Sequence, residues 1–114
     1  MTKNRSPQEL LPLTPPVFHI LLALADGPRH GYAIMQAVEE TAGPEMRMGP
    51  GTIYGSLQRM EDAGLVRELS PGVHERRRVF VLQPLGRRAL EGEAQRLARL
   101  AALLRSKRLI AGEG

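Results

Sequence analysis

The stretch GPGTIYGSLQRMEDAGLV, residues 49–66, decides the fold of this chain. A glycine–proline–glycine segment stands directly before a run with helical periodicity, and the run ends at Gly64. Within the run, Ile53, Leu57 and Met60 recur at the three- and four-residue spacing that places side chains on one face of a helix. The pattern therefore predicts a helix with one apolar face, which must pack against other elements, and one polar face.

Two further helices are predicted before this segment. The first has Thr14 as its N-cap and Pro15 at its first helical position, and the residues DGP at 26–28 end it. The second runs from about His30 to Ala42. Three short helices joined by tight turns are typical of a helix-turn-helix core.

The period of the sequence changes after Gly64. LVREL at 65–69 alternates in polarity, SPGVHE at 70–75 has the composition of a turn, and RRRVFVL at 76–82 contains β-branched and aromatic residues. These segments predict an antiparallel hairpin. A single helical pattern then extends over residues 84–108, which is about 35 Å at 1.5 Å per residue. The predicted fold class is mainly α, with a small β component (α+β).

Composition limits the functions that the chain can have. Its 114 residues suffice for one domain with a modest core. The formal net charge is +4, and the basic residues are concentrated after position 75, which favours a polyanionic partner. The polar N-terminus and the short apolar runs predict neither a signal peptide nor a membrane span, so a cytoplasmic protein is expected.

Groups that could support catalysis or bind metal are sparse. The sequence has no cysteine, which excludes disulfides, thiolate catalysis and cysteine-based zinc sites. His19, His30 and His74 lie far apart, and no pair has the spacing of ligands on one helix. The GPG segment also lacks the Gly-Lys-Ser/Thr ending of a nucleotide-phosphate loop. The sequence therefore predicts neither an enzyme nor a metal or cofactor site.

Four motifs, in this order and spacing, resemble the PadR family of transcriptional regulators: HGYAI at 30–34, GTIYGSLQRMEDAGLV at 51–66, RRRVFVL at 76–82 and a glycine at position 86. The resemblance covers about residues 10–90. It implies a winged helix-turn-helix, in which the hairpin is the wing, and a homodimeric repressor whose long last helix dimerises. The short length and single C-terminal helix are similar to the smaller subgroup of that family.

This resemblance divides the chain into four segments. They are a flexible N-terminal segment (1–9), a winged helix-turn-helix DNA-binding domain (10–83), a C-terminal dimerisation helix (84–108) and a flexible tail (109–114). Two-fold symmetry predicts an inverted-repeat operator in double-stranded DNA, with half-sites about one helical turn apart. Release by a small-molecule effector is left open, although without tryptophan a flat ligand would stack weakly.

Three positions differ from the pattern of the family. Gly55 stands where the family usually has proline, and Gln83 stands where it usually has the threonine that caps the last helix. Val79 and Phe80 replace one or two aromatic residues that are usual in the wing strand. These differences leave the predicted fold intact, and Gly55 is expected to alter base contacts.

The polar face of the helix in 49–66 suits a DNA major groove. Its side chains are short and hydrogen-bonding, and its N-terminal amides and dipole suit a backbone phosphate. Gln58 is suited to an adenine edge and Arg59 to a guanine edge or a phosphate, whereas Glu61 and Asp62 would repel phosphate. The predicted DNA-contacting residues here are Gly51, Thr52, Tyr54, Gly55, Ser56, Gln58 and Arg59. The alternative is an ordinary surface helix whose glycines serve only its entry turn.

The predicted wing supplies a second set of DNA contacts: His74, Arg76, Arg77 and Arg78. In a half-buried strand Arg76 and Arg78 share one face, and Arg77 points the other way. Long cations at a hairpin tip suit phosphates or the minor groove. The alternative is a solvated edge that prevents strand aggregation. Tyr32 is expected to pack its ring and to leave its hydroxyl free to reach DNA.

The last helix carries an apolar stripe wider than one small winged-helix unit could cover, which predicts a second copy of the chain as its partner. The alternative is that the helix folds back on its own domain. The predicted dimer residues are Leu90, Leu97, Leu100, Ala101 and Leu104 of this helix, with Leu10, Leu11, Leu13 and Val17.

The alternative function is a winged-helix module that binds proteins without specific DNA binding. A small basic enzyme is disfavoured by the missing catalytic constellation. An RNA-binding protein is disfavoured because the sequence offers few aromatic residues on which bases could stack.

Overall fold

The computed structural model describes residues 6–69 and 77–112 of the chain. The described helices and strands alternate in an order that confirms the predicted winged helix-turn-helix. They are α1 (Pro15–Ala23), β1 (Arg29–His30), α2 (Gly31–Ala42), α3 (Pro50–Asp62), β2 (Val66–Glu68), β3 (Val79–Leu82) and α4 (Pro84–Ser106). Short 3-10 helices at Pro7–Leu10 and Pro44–Met46 precede α1 and α3. The turn predicted at 70–75 lies outside the described residues.

Prolines begin three of the four α-helices in the described part of the chain. Pro15, Pro50 and Pro84 each occupy a first-turn position, where the missing N–H has no intrahelical acceptor to lose. The predicted N-cap, Thr14, has the extended backbone of a cap residue. The helix that follows ends at Ala23, earlier than the DGP signal, because a tighter turn intervenes in which Leu24 donates to Leu21 at 3.0 Å.

The sheet has one more strand than the predicted hairpin. Its order is β1-β3-β2, and both pairings are antiparallel. In β1 Arg29 is opposite Phe80, and in β2 Glu68 is opposite the same Phe80. The two-residue β1 was missed because a strand this short carries no alternating pattern; it pairs through tertiary contact with the wing strand.

The core forms where the three helices meet the inner face of the sheet. The predicted inner face of α3 is confirmed, because Ile53, Leu57 and Met60 are all buried. Phe80 extends this core from the wing strand. The largest side chains with almost no exposure are Phe80, Ile20, Leu21, Leu24, Ile34, Ile53, Leu57, Val38 and Val66.

Helix α4 joins the domain by its N-terminal half. Gly86 lies directly against the carbonyl of Leu65, at a separation that a side chain would not permit. The 3-10 helix Pro7–Leu10 packs on the same half of α4. The remaining turns carry exposed residues, and the longest dimension of the described chain is 54 Å. The predicted helix over 84–108 is thus confirmed to within two residues of its C-terminus.

Candidate nucleic-acid interface

The N-terminus of α3 offers unpaired backbone donors to solvent. Gly49 is the N-cap, and the first intrahelical hydrogen bond runs from the N–H of Ile53 to the carbonyl of Gly49 at 3.0 Å. The amides of Gly51 and Thr52 precede that donor, and both residues are exposed. Such N–H groups, at the positive end of a helix dipole, suit an anionic oxygen. The N-terminus of α3 is therefore open to solvent, as a phosphate contact at this position requires.

Two polar side chains of α3 form hydrogen bonds to other side chains of the same helix. Gln58 donates from Nε2 to the Asp62 carboxylate at 3.1 Å, one turn further on. Arg59 donates from Nη2 to the hydroxyl of Ser56 at 3.2 Å. Gln58 and Arg59 are exposed, so either can leave its intrahelical acceptor for an acceptor on a base.

Ser56 differs from its predicted role as a DNA contact. Its relative exposure is 7%, because it lies next to Ile53 and Leu57 on the side of α3 that turns toward the core. Its hydroxyl faces Arg59 and accepts a hydrogen bond from that guanidinium. In the free chain Ser56 therefore orients Arg59.

Gly55 is half-buried on α3, and packing among the described residues does not require a glycine there. A Cβ built at this position would meet one described atom within 4 Å, Nη1 of Arg59, at an ordinary contact distance of 3.6 Å. Glycine in a helix interior costs about 1 kcal/mol relative to alanine. The fold therefore gives no reason for glycine at this position.

Tyr54 also differs from the prediction, which placed it on the outer face. Its ring is half-buried against Gly31, in space that any side chain at position 31 would occupy. The ring of Phe80 lies on another side, with 6.2 Å between ring centroids and an interplanar angle of 51°. Tyr54 stands at the border between the two faces of α3, and the gap left by Gly31 turns it inward.

Arg78 makes two intramolecular contacts at the base of the wing. Its Nε and Nη2 donate to the two carboxylate oxygens of Glu68, each at 2.9 Å. Its guanidinium carbon lies 4.9 Å from the ring centroid of Tyr54 and 5.5 Å from that of Phe80. The hydrogen bond from Arg78 lowers the pKa of Glu68 below its ordinary value, although burial opposes the shift.

Sequence reasoning missed the acidic half of this arrangement. Glu68 holds Arg78 through its carboxylate, and its backbone N–H donates to the Glu61 carboxylate at 3.2 Å. The missing signal was the strand register. It places Glu68 opposite Phe80, and therefore diagonally opposite Arg78, which is two positions before Phe80. That register depends on a turn whose geometry the sequence leaves undefined.

The other predicted wing contacts are only partly described. Arg77 is exposed directly before Arg78, as a DNA-contacting cation should be. His74 and Arg76 lie outside the described residues. The prediction that Arg76 and Arg78 share one face of the strand therefore falls outside them as well.

Tyr32 does not pack its ring in the core, so that expectation was wrong. It is 63% exposed, because it lies on the solvent side of α2 while Ile34 and Val38 face inward. Its ring borders a cleft of about 260 Å³ between α2 and the N-terminus of α3. At the rim, Arg47 and Glu39 form an ion pair at 2.7 Å. Tyr32 therefore shares this cleft with Gly49 and Pro50 at the N-terminus of α3.

The predicted dimer residues fall into two groups. Leu13 and Leu90 are 9% and 7% exposed in the single chain, because the N-terminal segment folds onto α4, so both are core residues and not free surface. Leu10, Leu11 and Val17 are half-buried and also pack against this core. On the projecting half of α4, Ala101 is half-buried and Leu97, Leu100 and Leu104 are exposed.

Metal sites and membrane spans have requirements that the described residues do not meet. Among them, no group of three or more His, Asp or Glu side chains is placed to hold a metal ion. None of the helices in the described part of the chain combines the length and the apolarity that crossing a bilayer requires.

Sequence comparison connects this geometry to known proteins. The model of the Transcriptional regulator PadR-like family matches residues 20–92. A transcriptional regulator of Mycobacterium tuberculosis is 37% identical over 84 residues, which cover 73% of this chain and 76% of that protein. An uncharacterised 37.1 kDa protein in a transposon of Streptomyces fradiae is 51% identical over 82 residues, or 72% of this chain. The match covers 23% of that relative, so this chain spans less than a quarter of its length.

Structural comparison supports the same fold. A PadR family transcription regulator from Clostridium difficile superposes with a TM-score of 0.68 at 24% identity, covering 82% of this chain and 97% of that one. The crystal structure of Bacillus subtilis PadR in complex with operator DNA superposes with a TM-score of 0.57, also at 24% identity. It covers 71% of this chain and 46% of that one. At this level of identity the two structures establish the fold alone.

Proposed function

The chain belongs to the PadR-like family of transcriptional regulators, and from this premise we propose that it is a sequence-specific, homodimeric repressor that binds an inverted-repeat operator. Proteins of this family are regulators and not enzymes. The observation that carries the proposal is the N-terminal half of α3. There the amides of Gly51 and Thr52 precede the first intrahelical donor, beside a face that Gly55 leaves without a side chain.

Each contact on α3 has a chemical reason. The amides of Gly51 and Thr52 bind a backbone phosphate, which fixes the depth of the helix in the major groove. Gln58 exchanges Asp62 for an adenine edge, and Arg59 exchanges Ser56 for a guanine edge. Asp62 repels phosphate and limits the contact to the first two turns. Bacillus subtilis PadR, whose fold is similar, has been crystallised with operator DNA.

Dimerisation presents two such helices to the same duplex. The exposed half of α4 carries the leucines 97, 100, 103 and 104, an apolar surface that a second copy would cover. Two-fold symmetry then spaces the half-sites about one helical turn apart. The repressor acts in the cytoplasm by excluding the transcription machinery from the operator. Whether an effector releases it depends on the surface between the two copies.

The wing and α2 supply the flanking contacts. Arg77 is exposed at the base of the wing and binds a neighbouring phosphate. His74 and Arg76 are assigned the same role from sequence, since they lie outside the described residues. The hydroxyl of the exposed Tyr32 donates to a phosphate beside the N-terminus of α3.

Selection of bound sites from random duplex DNA tests the proposal. We expect an inverted repeat whose affinity falls steeply with salt, because several phosphates are neutralised. Arg59→Ala should relax the preference at one base pair of each half-site, at a cost of about 1–3 kcal/mol per contact. Arg99→Ala, which removes the same charge from an exposed site on α4, is the matched control and should keep the preference.

Two results would contradict the proposal. The first is featureless binding that Arg59→Ala leaves unchanged. The second is the absence of measurable DNA binding by a folded dimer, which would favour a module that binds proteins.

A further inference from the structure

Arg78 connects three elements around the proposed DNA-binding face. Its guanidinium bonds both carboxylate oxygens of Glu68, which ties the residue before β3 to β2. The same group lies over the ring of Tyr54, which ties Arg78 to α3. Its carbonyl accepts a hydrogen bond at 3.1 Å from the N–H of Gly31, the first residue of α2. One residue thus contacts the wing, the recognition helix and the helix before it.

The side chain under Arg78 has little freedom to move. Tyr54 is confined on one side by Gly31, whose missing side chain leaves the space that the ring fills. Phe80 borders the ring at 6.2 Å. A guanidinium over an aromatic face is attracted by the negative charge density of the ring. The stack therefore fixes the orientation of the wing strand relative to α3.

A second link runs through Glu68 and strengthens the first. The N–H of Glu68 donates to the carboxylate of Glu61, in the last turn of α3, at 3.2 Å. Glu68 is therefore held by α3 through its backbone and holds Arg78 through its side chain. The lowered pKa of Glu68, caused first by the hydrogen bond from Arg78, agrees with a carboxylate that stays charged in this position.

We propose that Arg78 is a positioning residue, which sets the angle between the wing and the recognition helix and does not neutralise a DNA phosphate. This inference rests on the proposed function. The Glu68 carboxylate offsets the charge of Arg78 and occupies its Nε and Nη2 donors, so a phosphate would have to displace two charge-assisted hydrogen bonds. The phosphate contacts of the wing then belong to its other cations.

The two roles of Arg78 predict opposite effects for Glu68→Gln. If Arg78 positions the wing, this substitution loosens the stack and weakens binding to the selected operator, roughly tenfold, as Arg78→Gln does. If Arg78 contacts phosphate, the substitution releases the arginine and removes a negative charge, so binding tightens. Salt dependence gives a second readout, because losing one phosphate contact in each half-site lowers the magnitude of the slope by about 1.8 for the dimer. Loss of a positioning residue leaves the slope unchanged.

Arg78→Lys keeps the charge but not the planar, bidentate group. We expect it to bind as weakly as Arg78→Gln, whereas a phosphate contact would be rescued. Arg99→Gln on α4 is the matched control for lost charge and should bind as the wild type does. Wild-type affinity in Arg78→Lys, tighter binding in Glu68→Gln, or a reduced slope in Arg78→Gln would overturn the proposal.

A measurement without DNA separates this proposal from the proposed function. The chain has two tyrosines and no tryptophan, so Tyr32→Phe leaves Tyr54 as the source of the tyrosine signal in near-ultraviolet circular dichroism. In that background Arg78→Gln and Glu68→Gln should change the signal alike, and Arg99→Gln should not. An unchanged signal would overturn the stacked arrangement even if the operator is found. A changed signal with no operator would contradict the DNA-binding function and leave the contact established.

Discussion

The carboxylate of Glu93, on α4, accepts a hydrogen bond at 3.3 Å from the backbone N–H of Leu13, although 80 positions of sequence separate the two residues. Glu93 is 3% exposed. The guanidinium of Arg96 holds the same carboxylate through bonds of 2.6 and 3.0 Å. This arrangement fixes the N-terminal segment on the N-terminal half of the long helix.

Replacing Glu93 by alanine should destabilise the fold by about 1–3 kcal/mol, because the buried N–H of Leu13 loses its acceptor. Urea unfolding measured by circular dichroism gives the free energy of unfolding. Glu91→Ala, at an exposed site on the same helix, is the control and should change that free energy by less than about 0.5 kcal/mol. Equal stabilities of the two variants would show that the Leu13–Glu93 contact contributes nothing.

The same carboxylate predicts a pH dependence of stability. The hydrogen bond from Arg96 lowers the pKa of Glu93 from its ordinary value of 4.5, and the N–H of Leu13 adds to the shift. A group whose pKa is lower in the folded state binds fewer protons there, so its stabilisation is full above the ordinary pKa. That stabilisation is lost as the pH falls through the lowered value. The stability difference between wild type and Glu93→Gln should therefore be largest at neutral pH and shrink in acid. A difference that is constant from neutral to acidic pH would contradict the shift.

The contrast between Gly55 and Gly31 gives a prediction about α3. Gly55→Ala should raise the free energy of unfolding by about 0.5–1 kcal/mol, because among the described residues the added methyl meets Arg59 alone, at 3.6 Å, and glycine is a poor helix former. The same substitution should weaken or redirect operator binding, because it adds a side chain to the proposed DNA face. A more stable protein that binds DNA less well is the expected result, measured by thermal unfolding and operator titration.

Gly31→Ala is the control for that substitution. It should destabilise the fold, because its methyl would overlap the ring of Tyr54. If Gly55→Ala is destabilising as well, or if it leaves operator binding unchanged, Gly55 has no special role in DNA recognition.

Periodicity was sufficient to predict the helices and the inner face of α3. Ile53, Leu57 and Met60 repeat at helical spacing, and only one orientation of the helix buries all three. The widths of the buried and exposed faces of α3 were less predictable. Ser56 and Tyr54 lie at the borders between buried and exposed faces, and their placement depends on the neighbouring elements. For Tyr54 that neighbour is Gly31, which a helical wheel of α3 does not include.

Contacts between segments far apart in the sequence could not be predicted either, because they too depend on how neighbouring elements are placed. The pairing of Glu68 with Arg78 depends on the register of the hairpin. The burial of Leu13 depends on where the N-terminal segment crosses α4, because an apolar residue alone does not specify its partner. Sequence reasoning therefore assigned Leu13 to a dimer surface, whereas the chain buries it within itself.

The N-cap of α4 can be improved. Gln83 has the extended backbone of a cap residue, with φ −87° and ψ 162°, but within the described residues its side chain makes no capping hydrogen bond. A shorter side chain with an acceptor reaches the amides of the first turn, so Gln83→Asp or Gln83→Thr should stabilise the protein by about 0.5–2 kcal/mol. Thermal unfolding measures the gain. Gln95→Asp, in the exposed middle of the same helix, should give no gain; equal effects at both sites would exclude capping.

Leu100 is 42% exposed on the projecting half of α4, where the proposed dimer would cover it. Leu100→Glu keeps a good helix former but places a charge in that interface, so we expect the dimer to dissociate while each chain keeps its helical content. Sedimentation equilibrium at several concentrations measures the dissociation, and circular dichroism checks the fold. Gln95→Glu adds the same charge to the opposite side of α4 and should leave the dimer intact.

Because two linked recognition helices bind one operator, the Leu100→Glu monomer should also lose most operator affinity. A wild-type protein that is monomeric, or a Leu100→Glu variant as dimeric as the control, would contradict the assignment of this surface.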